Sequence, residues 1–124
     1  MARAAKFAGL FVVALSIGGS ALAAPAPKPP SFAMCGVCHK VGAGEKSSLG
    51  PNLFGVGGRK AGALPGYAYS PAMKAAKFVW TRDKLIAFIT DPRKTVPGTK
   101  MAFAGQKNPQ QAAAIVDYLL SLKK

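Results

Sequence analysis

The clearest periodicity lies at the end of the chain. Ala112, Ile115, Val116, Leu119 and Leu122 recur at intervals of three and four and define one apolar stripe. Asn108-Pro109 precedes it as a cap and a first-turn proline, and Lys123-Lys124 put positive charge at the negative end of the helix dipole. A second helix is predicted after Thr81, with Leu85, Phe88 and Ile89 on one face, and Asp91-Pro92 stops it. Ser70-Pro71 opens a short helix ending near Lys77. A further short one, two to three turns at most, starts around Pro30-Ser31 and runs through Phe32 and Met34 toward Cys35.

Between these segments the patterning is lost. From Val41 to Gly66 the chain carries eight glycines and no sustained period, and 92–107 reads as loop, with Pro92, Pro97, Gly98 and Gly105. Four prolines in Pro25-Ala26-Pro27-Lys28-Pro29-Pro30 predict an extended, polyproline-like arm over 24–30 without fixed structure. No strand pattern and no internal repeat is present. The expected fold is all-α: three or four helices joined by long Gly/Pro loops, with too little regular structure to close a core unless a ligand completes it.

Charge and the N-terminus narrow the class. Arg3 and Lys6 precede an apolar stretch from Phe7 to Ile17, and Ala21-Leu22-Ala23 is a small-x-small cleavage site. This predicts a signal peptide over 1–23, cut after Ala23. The competing reading is an uncleaved membrane anchor, for which the Gly/Ser/Ala-rich second half is thin. Without Arg3 and Lys6, the 101 residues from Ala24 hold 15 Lys/Arg against 4 acidic residues, a formal charge of +11. Such a balance favours acidic surfaces as partners, and an export signal removes nucleic acid from among them.

The candidate chemistry sits in Cys35-Gly36-Val37-Cys38-His39. Two cysteines three apart with histidine next to the second is the pattern of covalent haem attachment. On a helical turn the two sulfurs reach the two vinyl groups of one porphyrin, and His39 projects its imidazole at the iron. A thioredoxin-like pair would need alternating strands and helices, which this chain lacks. A tetrahedral zinc site needs four ligands, and the chain has only two Cys and one His.

The chain resembles the class I cytochromes c. Beyond the attachment motif it carries Gly50-Pro51-Asn52-Leu53, Gly58-Arg59, Gly66-Tyr67-x-Tyr69-Ser70, Trp80 and Pro97-Gly98-Thr99-Lys100-Met101-x-Phe103-x-Gly105, in family order and spacing over about residues 31–122. The resemblance implies a small cytochrome c domain over 31–124 wrapped around one haem c bound through Cys35 and Cys38. His39 and Met101 match the axial iron ligands, and the carbonyl of Pro51 matches the acceptor of the other imidazole N–H. Arg59, Tyr69 and Trp80 match the groups that bond the haem propionates. The chain also departs from the family pattern. Phe88 stands where a Tyr is usual and Met73 where an Asn is usual, so two polar groups are lost near the distal side. Pro27 and Ser31 replace the Gly and aromatic of the N-terminal helix. Phe32 is placed to stand in for that aromatic against Ile115 and Tyr118, with a weakened pairing between the two ends of the chain.

These residues predict an electron-transfer protein and not an enzyme, because iron held by both His and Met offers no open position. The expectation is a monomeric periplasmic one-electron shuttle in a respiratory chain. Lys46, Arg93, Lys94, Lys100 and Lys107 match positions that ring the exposed haem edge, and they would dock on acidic redox partners such as an oxidase or reductase complex, with transient contact to a membrane complex. Two other classes stay open: a haem enzyme or small-gas binder, if Met101 leaves the iron, and a subunit fixed in a larger redox complex.

Overall fold

The structure, a computed structural model, describes residues 24–123 together with residues 9, 12–14, 18 and 19. The predicted signal peptide and its cut after Ala23 therefore fall largely outside the described residues. Among the described residues five α-helices follow a 3-10 turn at Pro30–Phe32: α1 (Ala33–Gly36), α2 (Pro71–Ala75), α3 (Arg82–Thr90), α4 (Pro92–Thr95) and α5 (Pro109–Ser121). Among the described residues there is no strand, and no helix is long and apolar enough to cross a membrane. The architecture is the expected all-α one.

Local chemistry sets the helix starts. Ser70, Thr81 and Asn108 each turn a side-chain oxygen onto backbone N–H groups of the first turn: those of Met73, of Lys84, and of Gln110 and Gln111. The count of three or four helices needs correction to five, because Asp91-Pro92 has two roles. Asp91 ends α3, and its carboxylate then accepts from Lys94 N at 3.1 Å with Pro92 at the first helical position, so 92–95 is a helical turn and not loop. The first helical segment is short, as expected. One 3-10 turn runs directly into one α-turn, from Pro30 to Gly36.

Helix α5 forms the floor of the core, with Ala112, Ile115, Val116, Tyr118, Leu119 and Leu122 buried; α3 crosses it with Leu85, Phe88 and Ile89, and packs also on α4. Each fully buried aliphatic contributes about 1.5–3 kcal/mol relative to exposure. The 3-10 turn closes the other side of α5. Phe32, 2% exposed, meets Tyr118 edge-on with ring centroids 5.2 Å apart, so the two ends of the chain do pack together. The arm differs from the expectation of no fixed structure. Pro29 has polyproline dihedrals, and Ala26 N donates to Ser121 Oγ at 2.8 Å, which ties the arm to the last turn of α5.

The glycine-rich stretch is held by one short antiparallel bridge. Trp80 N donates to Arg59 O, Gly58 N to Trp80 O and Ala61 N to Phe78 O, each at 2.9 Å, around the pair Lys60 and Val79. These bonds bring Arg59 beside Trp80, although 20 residues separate them in the chain.

Candidate functional site

The attachment motif folds as a single helical turn. Cys38 N and His39 N both donate to Cys35 O, at 3.1 and 2.9 Å, so Cys35, Cys38 and His39 share one turn. Both cysteine side chains are of intermediate exposure.

His39 is held from below by the next loop. Its Nδ1 donates to Pro51 O at 2.8 Å, which fixes one tautomer and leaves Nε2 with a free lone pair. Burial lowers the His39 pKa, and the Pro51 bond only partly offsets this, which favours the neutral ring that a metal ligand must be. The loop reaches this close because residue 50 has no side chain. A Cβ on Gly50 would lie 2.4 Å from His39 Cε1 and 2.7 Å from Nδ1. Gly50 N and Ser48 Oγ both donate to Cys38 O, at 2.8 and 2.7 Å, and lock the loop to the motif.

Buried Asn52 organises that loop, a role the sequence reading did not assign. Its side-chain amide donates to Gly42 O and Glu45 O at 2.8 and 2.7 Å, and its Oδ1 accepts from Phe54 N at 2.8 Å. The signal was present in Gly50-Pro51-Asn52-Leu53, where Asn is the one side chain able to donate twice and accept once.

The other predicted residues divide into groups. Arg59 directs its guanidinium inward, to Asn52 O at 2.9 Å and Phe54 O at 2.6 Å, and so bonds the same loop that supports His39. Trp80 is buried edge-on against Phe78 and tilted onto Phe88, with centroids 4.8 and 5.1 Å away. Tyr69 is half-buried and meets Tyr67 edge-on. Among the described residues no acceptor takes the Trp80 indole N–H or the Tyr69 hydroxyl. Met101 is half-buried against the core, its backbone N–H donating to Thr99 Oγ1 at 3.3 Å. His39 with Pro51 and Arg59 with Trp80 are joined by hydrogen bonds; Tyr69 and Met101 are joined to these pairs only through the shared core.

The phenyl ring of Phe88 and the thioether of Met73 are both buried, at the positions where the family pattern has polar groups. Half-buried Cys35, Val41, Leu53, Phe54, Ile86, Met101 and Leu120 line the margin of the core. A haem fits this donor set: two thiols on one turn, a neutral imidazole with Nε2 free, a thioether, and N–H and O–H donors for carboxylates.

Known proteins agree. A family model for cytochrome c matches residues 31–123. Cytochrome c2 iso-2 of Magnetospirillum fulvum is 46% identical over 97 residues, covering 78% of this chain and all of that protein. Cytochrome c2 of Blastochloris viridis is 40% identical over 111 residues, covering 90% of this chain and 87% of its own. The solved structure of cytochrome cH from Methylobacterium extorquens superimposes with a TM-score of 0.68 at 43% identity, covering 72% of this chain and 89% of that one. The chain therefore belongs to the cytochrome c family, as an electron carrier and not an enzyme, with one haem c held covalently through Cys35 and Cys38.

Proposed function

We propose that this protein is an exported, monomeric, periplasmic one-electron carrier of a respiratory chain whose haem iron is held by His39 and Met101. One observation carries the reading: a half-buried imidazole whose Nδ1 is committed to Pro51 O, which leaves Nε2 as the ring nitrogen that would hold a metal. The haem supplies a ferric/ferrous couple, and a thioether ligand favours the ferrous side. The chain's own residues do the rest. Gly50, Asn52 and Arg59 fix the loop that fixes His39. Thr99 fixes the backbone of Met101. Tyr69 and Trp80, with Arg59, stand as donors for the propionates. Phe88 and Met73 keep the far side apolar, which disfavours water and the extra positive charge of ferric iron.

The partner is an acidic redox protein, an oxidase or reductase complex, met through a basic face. Lys46, Arg93, Lys94, Lys100 and Lys107 are all exposed. Two of them also have structural roles: Lys100 Nζ donates to Ala68 O, and Lys107 Nζ donates to Thr90 O at 2.7 Å, 4.0 Å from Asp91. Export rests on the charge and apolar pattern of residues 1–23, with the mature chain beginning at Ala24.

The test is Met101→Ala in the holoprotein. Wild type is expected to show the long-wavelength sulfur-to-iron absorption band when oxidised and to bind no carbon monoxide when reduced. The variant loses the band and binds the gas. A wild type that binds carbon monoxide as readily as the variant would overturn the ligation and favour a gas-binding role.

A further inference from the structure

Ser47 and Ser48 sit side by side in the loop that supports His39, and their hydroxyls act in opposite senses. Ser48 Oγ donates to Cys38 O. Half-buried Ser47 accepts instead: Asn52 N donates to its Oγ at 3.0 Å. That N–H belongs to the peptide unit between Pro51 and Asn52, whose carbonyl oxygen, Pro51 O, accepts from His39 Nδ1 at 2.8 Å. In a trans peptide the C=O and N–H point to opposite sides of one rigid plane. His39 therefore holds one edge of this plane and Ser47 the other.

The surroundings fix where the plane lies but leave its N–H to Ser47. On one side the proline ring fixes φ. On the other, the buried Asn52 side chain is committed to Gly42 O, Glu45 O and Phe54 N, and Asn52 O accepts from Arg59 at 2.9 Å. Among the described residues, Ser47 alone bonds the N–H of this peptide. The bond acts on charge as well as on position. An amide whose N–H is engaged is polarised and carries more negative charge on its carbonyl oxygen. Pro51 O then accepts more strongly from His39 Nδ1, and a more strongly bonded imidazole is the more basic ligand.

We propose that Ser47 is a positioning residue for electron transfer, setting the donor strength of His39 toward the haem iron through the Pro51–Asn52 peptide. This rests on the reading of His39 as an iron ligand and deepens it. A stronger imidazole donor stabilises ferric iron relative to ferrous, because the ferric state carries the extra positive charge. Ser47 therefore lowers the reduction potential. It opposes the Met101 thioether, which favours the ferrous state. The hydroxyl exchanges no proton and no bond during the reaction; it biases the couple only.

The test compares wild type, Ser47→Ala, Ser47→Thr and Thr81→Ala holoproteins. Thr81 is a matched control: its hydroxyl also accepts from a backbone N–H, that of Lys84 at 3.2 Å, at the start of α3. The midpoint potential is read by optical titration, stability by urea unfolding, and exchange of the His39 Nδ1 proton by NMR of the reduced protein. Neighbouring hydrogen bonds strengthen one another by roughly 10–30%, so the shift is modest. Ser47→Ala should favour ferrous iron about twofold at fixed applied potential, raising the midpoint by roughly 18 mV, and its Nδ1 proton should exchange faster. Ser47→Thr keeps the hydroxyl and should restore both. Thr81→Ala should lower the unfolding midpoint while potential and exchange stay those of wild type. A Ser47→Ala potential equal to wild type, or an equal shift in Thr81→Ala, overturns the proposal and leaves the ligation standing. So does a Ser47→Thr variant that behaves as Ser47→Ala, since the hydroxyl would then not be the cause. A wild-type His39 ring lacking the large upfield shifts that a haem imposes on an axial imidazole removes the ligation reading itself, and the role of Ser47 with it.

Discussion

Gly50→Ala puts the support of His39 under direct strain. A Cβ at residue 50 would lie 2.4 Å from His39 Cε1, 2.7 Å from Nδ1 and 2.9 Å from Nε2, where ordinary contact begins near 3.4 Å. The ring or the loop must therefore retreat by about 1 Å, an overpacking strain of about 1–3 kcal/mol. Neither is free to move. The ring is bonded to Pro51 O at 2.8 Å, and Gly50 N is bonded to Cys38 O at the same distance. Breaking one of these bonds adds about 0.5–1.5 kcal/mol. The expected loss is thus about 2–4 kcal/mol, which at a urea dependence of roughly 2 kcal/mol per molar lowers the unfolding midpoint by about 1–2 M. The control is Gly57→Ala. There the new Cβ meets Leu120 Cδ2 at 2.6 Å, the tip of a side chain that can rotate away, and nothing else within 3.9 Å. It should cost less than about 1 kcal/mol. The assay is urea unfolding of the three holoproteins, followed by Trp80 fluorescence and circular dichroism. Equal midpoints for wild type and Gly50→Ala would refute the claim that the loop closes on His39 only because residue 50 lacks a side chain.

Other substitutions test separate links. Phe32→Ala should destabilise the holoprotein by about 3–5 kcal/mol and Phe32→Leu by less than about 1.5 kcal/mol, because the first leaves a cavity against Tyr118 and the second nearly fills it; urea unfolding decides, and equal losses would show that filled volume is not what holds the two ends together. Cys38→Ala should abolish or greatly reduce stable holoprotein, read by haem staining after denaturing electrophoresis; a wild-type band that loses its haem in acidic organic solvent would defeat covalent attachment. Phe88→Tyr brings a hydroxyl into an apolar site beside Trp80, and an alkaline titration of the sulfur-to-iron band should then shift its midpoint; identical titrations would show that residue 88 has no hold on the Met101 ligand. Arg82→Ala removes an exposed 2.9 Å ion pair with Asp117 that solvent screens, and should leave the thermal unfolding midpoint close to that of wild type, so a clear fall would mean the pair is structural.

What the sequence made legible was local chemistry. Ser70, Thr81 and Asn108 were readable as caps because a cap bonds within three residues of itself, and the stripe of α5 because periodicity is local too. Asp91-Pro92 was half-read. A proline that stops one helix is equally a first-turn residue for the next, and only the Asp91 side chain's choice of Lys94 N separates the two outcomes. The rest depended on pairings distant in the chain. Ala26 meets Ser121 across 95 residues, so nothing in the proline run could reveal that the arm is anchored. Arg59 was assigned by resemblance to a propionate, but which backbone carbonyls its guanidinium also holds could not be read from residue type. Gly50 and Asn52 were visible as a motif, yet their reasons, a ring 2.4 Å from an absent Cβ and an amide spanning Gly42 and Glu45, exist only once the loop has folded back.

The central claim is a one-electron carrier whose iron is closed on both sides by His39 and Met101. The most direct measurement is an optical redox titration of the wild-type holoprotein, run once under argon and once under carbon monoxide. The account predicts a single one-electron wave, about 59 mV per decade, with the same midpoint under both gases. A midpoint that rises under carbon monoxide would contradict it, because a ligand that binds and stabilises only the reduced form requires an open position on the iron.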